Sequence, residues 1–180
     1  MQALNLPKVA NLNPRSIYNK VDEFCTLVEE KEIDIVFLSE SQERWYPTNK
    51  GESQTLNELI SLEDFIIISN PSQRKGKGGR PALIINNKKY LVKNLTQTDI
   101  TIPWGVEIVW AVITPSNITS ESNVQKIVLG SLYCKPGSKK KSVLLDHIAE
   151  VYHMLCKRYR KGLHWILAGD FNQLNDNLIH

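Results

Sequence analysis

Apolar residues fall into short dense runs separated by polar stretches, and the periods of strand and helix sort them into elements. Val9 and Ala10 end a short opening strand, closed by Asn11-Leu-Asn13-Pro14, residues that favour turns. From Ser16, a candidate N-cap, Ile17, Val21, Phe24 and Val28 recur at intervals of four, three and four. Leu27 fills the same stripe, predicting an amphipathic helix to about Lys31. Ile33–Ser39 is rich in β-branched and large apolar residues and predicts a buried strand ending at Glu40. Residues 41–54 carry the breakers Pro47, Asn49 and Gly51 and read as loop; Thr55–Leu62 holds one or two helical turns. Further strands are predicted at Phe65–Ile68, at Ala82–Ile85 and Tyr90–Val92 around the turn Asn86-Asn87-Lys88, at Val106–Ile113 and at Lys126–Tyr133. A polar loop spans Pro115 to Asn123. A late helix from about Ser142 to Arg160 aligns Leu144, Leu145, Ile148, Val151, Tyr152 and Leu155 in one stripe and leaves its lysines outward.

The last run, Trp165 to Ala168, has the continuous apolar character of a strand buried on both faces, and Gly169 permits a sharp turn after it. Asp170 and Asn172 are thereby delivered to the rim of a sheet, two residues apart and on one face in an extended continuation, with Phe171 turned into packing. A carboxylate that takes a proton and an amide that donates to an oxyanion then face one spot. Asp and Asn are also common turn residues, so a plain strand-to-turn corner describes the same four residues. Consecutive strands after a leading helix–strand pair, with one late helix, predict an α+β layered sandwich rather than an alternating parallel fold.

Composition narrows the classes. With 180 residues and 42% hydrophobic content the chain suits one globular domain over 1–180, with no repeat, low-complexity tract or linker. The formal charge of +3 is small but uneven. Residues 139–161 hold Lys139, Lys140, Lys141, Lys157, Arg158, Arg160 and Lys161 against Asp146 and Glu150, either a phosphate-binding patch or a solvated helix face. Arg74, Lys75, Lys77 and Arg80 are interleaved with Gly76, Gly78 and Gly79 in a basic hairpin loop that either touches phosphate or is merely solvated; the spacing is not that of a Walker loop. Cys25, Cys134 and Cys156 are widely spaced and match no zinc pattern, so free thiols in a reducing compartment are expected. No signal-peptide pattern or membrane-length apolar window is present, and an intracellular protein, cytoplasmic or nuclear, is expected. Glu40, directly after a buried strand, is either a loop carboxylate or a ligand for a hard cation such as Mg²⁺.

The order of these parts carries a resemblance. A strand ending in Asn11-Leu-Asn13, a helix with Asn19-Lys-Val-Asp22-Glu-Phe, a strand ending in Leu-Ser-Glu40, a Gly-Gly strand at 78–85, a strand ending in Leu-Tyr133 with Pro136 nearby, a helix, then Ala-Gly-Asp170-Phe-Asn172 resembles the endonuclease/exonuclease/phosphatase superfamily. More narrowly it is similar to the endonuclease domain of LINE-type retrotransposons. The resemblance implies a four-layer α/β sandwich, two packed mixed β-sheets flanked by helices, with a metal-dependent phosphodiesterase site where the sheets meet. It implies that Glu40 binds Mg²⁺ or Mn²⁺ with Asn11 in the same shell or on phosphate. Asp170 would orient or deprotonate the attacking water, Asn172 would donate to the phosphorane-like oxygens, and Tyr133 would contact the scissile phosphate. DNA is the implied substrate, nicked to a 3′ hydroxyl, with a downstream reverse transcriptase a possible neighbour in the full-length protein.

The chain departs from the family at its C-terminus. The family's late Ser/Thr-Asp pair and Asp-His have no counterpart, because the sequence stops eight residues after Asn172 and His180 is too near to serve. His147, His153 and His164 read as packing or surface residues. A C-terminally incomplete domain, lacking closing strands and leaving a sheet edge uncovered, is expected. Three functions remain open: a Mg²⁺-dependent nicking endonuclease, an inactive remnant that at most binds nucleic acid through Arg74–Arg80 and the 139–161 patch, and a phosphatase or lipid phosphodiesterase branch of the same fold.

Overall fold

The structure is a computed structural model that describes residues 6–41, 55–69, 79–117, 125–137, 139–159 and 163–172. The loop predicted over 42–54, the basic residues Arg74, Lys75 and Lys77, the latter part of the loop to Asn123, Arg160, Lys161 and His180 lie outside the described residues. In chain order the elements are β1 (Val9–Leu12), a 3₁₀ turn (Tyr18–Lys20), α1 (Val21–Glu30), β2 (Ile35–Leu38), α2 (Leu56–Leu59), β3 (Phe65–Ser69), β4 (Ala82–Asn86), β5 (Tyr90–Asn94), α3 (Leu95–Thr98), β6 (Glu107–Pro115), β7 (Lys126–Tyr133), α4 (Lys141–Tyr159) and β8 (Leu163–Asp170). Among these only α3 has no counterpart in the apolar pattern. One turn is too short to show a period, and it is started locally, by the Asn94 side chain accepting the Thr96 N–H at 3.0 Å.

Two four-stranded sheets form, in the orders β1-β2-β4-β3 and β5-β6-β7-β8. Each is mixed: β1 lies parallel to β2 and β7 parallel to β8, and the other pairs are antiparallel. Side chains alternate across each sheet and build three apolar layers. Ile35, Phe37, Leu83 and Ile85 of the first sheet face Val109, Ala111, Ile113 and Leu129 of the second, forming the inter-sheet core. Val36, Leu38, Ala82 and Ile84 point the other way, under Phe24 and Val28 of α1 and Leu56 of α2. On the far side of the second sheet Ile108, Trp110, Val112, Val128 and Leu132 pack beneath Leu144, Val151 and Leu155 of α4. The result is the expected helix–sheet–sheet–helix sandwich. No helix among the described residues is long and apolar enough to cross a membrane, and all three cysteines are free.

Several local expectations give way to packing. Strand β1 continues through Asn11 and Leu12, because β2 pairs with it as far as Leu38 and the Ser39 N–H donates to the Leu12 carbonyl at 3.1 Å. The turn belongs to Asn13 instead, whose side-chain oxygen accepts the Arg15 N–H at 3.1 Å. Helix α1 starts at Val21 rather than at Ser16, with no side-chain cap. Leu27 stays 36% exposed, off the buried stripe of Phe24 and Val28. β4 and β5 are no hairpin: Asn86 accepts the N–H groups of Lys88 and Lys89 and swings the chain from one sheet to the other. On α4 the buried side chains are Leu144, His147, Val151 and Leu155, and Tyr152 is 48% exposed. Strand β8 is not buried on both faces. Among the described residues it is the outer strand of its sheet, and its side chains are half-buried or exposed.

The expected basic patch along α4 is divided by the length of the helix. Lys140 stands just before its start and Arg158 near its end, roughly 27 Å apart at 1.5 Å per residue. Arg158, with Lys93, binds Asp99 and ties α3, β5 and α4 together. The Thr98 hydroxyl and these two cations hold the Asp99 carboxyl well below the usual carboxylate range.

His147 fills a packing role. Its Nε2 accepts the indole N–H of fully buried Trp110 at 3.2 Å, and burial pushes the imidazole below its ordinary pKa. As pH falls through about 6.5 the unfolded chain takes up a proton that the folded chain resists, so this histidine makes stability fall toward acid. His147→Leu should cost about 1–3 kcal/mol at pH 7.5 by leaving the indole N–H unpaired. The gap to wild type should narrow at pH 5, as read from urea midpoints at the two pH values.

Candidate active site

Parallel pairing within each sheet brings the C-terminal ends of β1, β2, β7 and β8 to one rim of the sandwich. That is where Asn11, Glu40, Tyr133 and Asp170 lie. Antiparallel β4 and β6 bring their N-terminal ends to the same place, adding Arg80 and Glu107. A buried hydroxyl sets the sheet spacing near this rim: Ser131 Oγ on β7 donates to the Leu38 carbonyl on β2 at 3.0 Å, two residues before Glu40.

Hydrogen bonds cross between the sheets here. The Asn11 amide donates to the Gly169 carbonyl at 3.4 Å, and the Asn13 amide donates to Asp170 Oδ2 at 2.9 Å. Asp170 Oδ1 accepts the Asn172 backbone N–H at 3.1 Å, so both carboxylate oxygens are oriented. Behind it, the Asp170 carbonyl accepts the Cys134 N–H at 2.8 Å. Asn172 has φ +27° and closes a turn, and Phe171 is 39% exposed. An Asx turn thus replaces the expected extended continuation, because the Asp170 side chain satisfies the backbone N–H two residues on.

Gly169 does not bend the chain away. The strand runs on through it, paired Leu132↔Gly169 and Tyr133↔Asp170. Its φ is +143°, and a Cβ there would stand 2.0 Å from the Leu132 carbonyl oxygen, so the residue serves close backbone approach.

Tyr133 reads the field of the rim. Its phenol pKa is pushed up to about 12, first by burial, then by the charge of Glu40, the hydrogen bond it makes to Glu40, and the charges of Asp170 and Glu107. The hydroxyl is therefore a proton donor at neutral pH. Glu107, opposite Tyr133 in the sheet register, accepts the Arg80 backbone N–H at 2.8 Å. The Arg80 carbonyl in turn accepts the Ser41 hydroxyl at 2.7 Å, which links the segment after Glu40 to the entry of β4. Gly79 beside it has φ +79°, a left-handed conformation that favours glycine, and a Cβ there would displace the Glu107 carboxylate.

Of the residues expected at the site, the fold gathers Asn11, Glu40, Tyr133, Asp170 and Asn172 at one rim, with Arg80 beside them. Lys140 lines a cleft of about 60 Å³ with Glu107, Tyr133 and Lys135, and Lys139 is exposed next to it. Asn13 and Glu107 were not anticipated. Each had a signal: Asn13 stands two after Asn11, the spacing that Asn172 keeps from Asp170, and Glu107 is the lone charge in an apolar run.

No known protein-family profile matches the chain, and no curated protein matches it. Solved structures do. The human Nocturnin catalytic domain with bound sulfate is 15% identical with a TM-score of 0.54, over 96% of this chain and 67% of that one. The AP endonuclease LMAP from Leishmania major is 13% identical with a TM-score of 0.57, over 90% and 53%. The chain has the endonuclease/exonuclease/phosphatase fold. The Xenopus laevis APE2 catalytic domain, 13% identical with a TM-score of 0.54, aligns over 92% of this chain and 58% of its own. The chain thus spans about half to two thirds of the length of these structures.

The donor set at the rim is all oxygen. Among the described residues no group of three His, Cys, Asp or Glu side chains is placed to hold a metal. A hard cation suits this set: Mg²⁺ is commonly held by one or two carboxylates, with water and phosphate oxygens completing its shell. A zinc site, with its His and Cys ligands, does not suit it.

Gly169→Ala should destabilise the protein by about 3 kcal/mol or more, since it adds backbone strain and a clash with a carbonyl that has no room to retreat. Urea denaturation measures it. Ala168→Gly, on the same strand without that constraint, should cost clearly less.

Proposed function

We propose that this chain forms part of a Mg²⁺-dependent phosphodiesterase that nicks DNA, in a protein derived from a retrotransposon. The observation that carries the reading is the meeting of Glu40 from the first sheet with Tyr133 and Asp170 from the second at one rim, with Asn11 and Asn13 bonded across to Gly169 and Asp170. The fold shared with Nocturnin, LMAP and APE2 supports a hydrolase of phosphoesters. The order of Asn11, Glu40, Tyr133, Asp170 and Asn172 along the chain supports the narrower retrotransposon reading.

Glu40 holds the cation, with Asn11 beside it; a bound Mg²⁺ would supply Lewis-acid stabilisation of charge on the phosphate. Tyr133 keeps its proton and donates to a phosphate oxygen. Asp170, its two oxygens fixed by the Asn13 amide and the Asn172 N–H, presents its remaining lone pairs to the attacking water and takes its proton as the bond to phosphorus forms. The bond from phosphorus to the 3′ oxygen breaks, and that oxygen leaves as a hydroxyl after taking a proton from solvent water. Asn172 donates to the equatorial oxygens as negative charge grows there. Lys139 and Lys140 attract the polyanion to the rim.

Supercoiled plasmid tests this. Wild type should convert it to the open circle with Mg²⁺ and not with EDTA. Glu40→Ala and Asp170→Ala should each lose about 10²–10⁴-fold in rate, and Tyr133→Phe about 10–100-fold. Hydrolysis of a small phosphomonoester without any nicking would move the chain to the phosphatase branch. A gel shift indifferent to Mg²⁺ and to Glu40→Ala, with no nicking, would leave a nucleic-acid binder without catalysis.

A further inference from the structure

Trp104 has a setting unlike that of the two other described tryptophans. Trp110 is fully buried and Trp165 packs against it edge-on at 6.3 Å, whereas Trp104 is 75% exposed. A tight turn presents it: the Val106 N–H donates to the Pro103 carbonyl at 3.1 Å, Gly105 adopts φ +87°, and Ile102 and Val106 anchor both sides in the core. The Lys140 ammonium lies 5.9 Å from the ring centroid. Gly105, next in the chain, and Lys140 line the same cleft as Tyr133, which puts the indole beside that cleft.

We propose that Trp104, with Lys140 and Lys135, forms a subsite that stacks an unpaired DNA base beside the nicked phosphate, which presupposes the DNA-nicking function above. An exposed indole held by a rigid turn offers a flat face with little ordering left to lose, the setting in which aromatic side chains stack on bases. The cleft, at about 60 Å³, admits a few waters and not a nucleobase. The base therefore lies on Trp104, beside the cleft. Charge then orients the nucleotide. Lys140 and Lys135 draw its phosphate to their side, while Glu107, which lines the same cleft, repels it toward them. Trp104 is three residues from Glu107, at most about 11 Å along the chain, and Glu107 pairs with Tyr133 in the sheet, so the indole lies near the phosphate at Tyr133. Within a duplex both faces of a base are covered by its neighbours. The subsite accordingly takes a base from a single strand, a frayed end or an extrahelical position.

The test is fluorescence anisotropy with labelled oligonucleotides at fixed salt and without added metal, so that binding is read apart from catalysis. The full chain, Trp104→Ala and Trp104→Phe are compared on a twelve-nucleotide thymidine strand and on a duplex of equal length. Trp104→Ala should lose about tenfold in affinity for the single strand and less than about twofold for the duplex. Its salt dependence should be unchanged, because no phosphate contact is removed. Trp104→Phe should stay within about threefold of wild type on both. Circular dichroism should show all three folded, as the side chain carries no core. Equal single-strand affinity of wild type and Trp104→Ala would overturn the subsite while leaving the nicking function standing on the plasmid assay. Equal losses on single strand and duplex would overturn stacking in favour of a general surface effect. Absence of binding to either oligonucleotide would overturn both readings.

Discussion

The rim exists because two sheets are held face to face at a fixed spacing. Ile35, Phe37, Leu83 and Ile85 meet Val109, Ala111, Ile113 and Leu129 in a layer with almost no polar atoms, and close packing of this kind resists both compression and slip. Ser131 is the exception within it. Its hydroxyl bonds the Leu38 carbonyl across the gap, a directional contact in a non-directional layer, and it sits just before both Tyr133 and Glu40. If the sheets slid past one another by one residue, the phenol and the carboxylate would part. The polar site thus inherits its geometry from apolar burial.

Above that layer the site is assembled from side chains that act on one another. Burial, and then the negative charge of Glu40, Asp170 and Glu107, holds the proton on the Tyr133 hydroxyl, and that concentration of negative charge is of the kind that suits a small hard cation. Lys135 and Lys140 line the adjoining cleft with Glu107 and Tyr133. Carboxylates at the rim and ammonium groups along the cleft thus lie side by side, so the sign of the local field changes over a short distance. Backbone groups here find partners: Glu107 receives the Arg80 N–H, the Arg80 carbonyl receives the Ser41 hydroxyl, and Asp170 receives the Asn172 N–H.

Edge and centre differ in tolerance. The central strands β2, β4, β6 and β7 are buried almost end to end, whereas β1 and β8, which carry Asn11 and Asp170, are half-exposed outer strands. Side chains on outer strands are freer to adjust than residues of the core. The cross-sheet bonds from Asn11 and Asn13 compensate by tying β1 to β8 directly.

By itself the sequence determined the strands and the two long helices. Runs such as Ile33–Ser39 and Lys126–Tyr133 are apolar over lengths that only a buried strand uses, and the 3.6-residue stripe of Phe24 and Val28 has no other reading. It also placed Glu40, Tyr133 and Asp170 at strand ends, because Glu40 and Asp170 directly follow such runs and Tyr133 closes one. Tertiary structure decided what has no local cause. Whether β4 pairs with β5 or with β2 and β3 depends on which sheet each strand joins. Whether Leu27 or Ile17 is buried depends on how the helix sits on that sheet. Gly169 looked like a bend and serves close approach, since the carbonyl that crowds it comes from a strand 37 residues earlier in the chain. Asn13 and Glu107 entered the site by the same route: hydrophobic periodicity records which face of an element is buried, and only the pairing of distant strands records which ends meet.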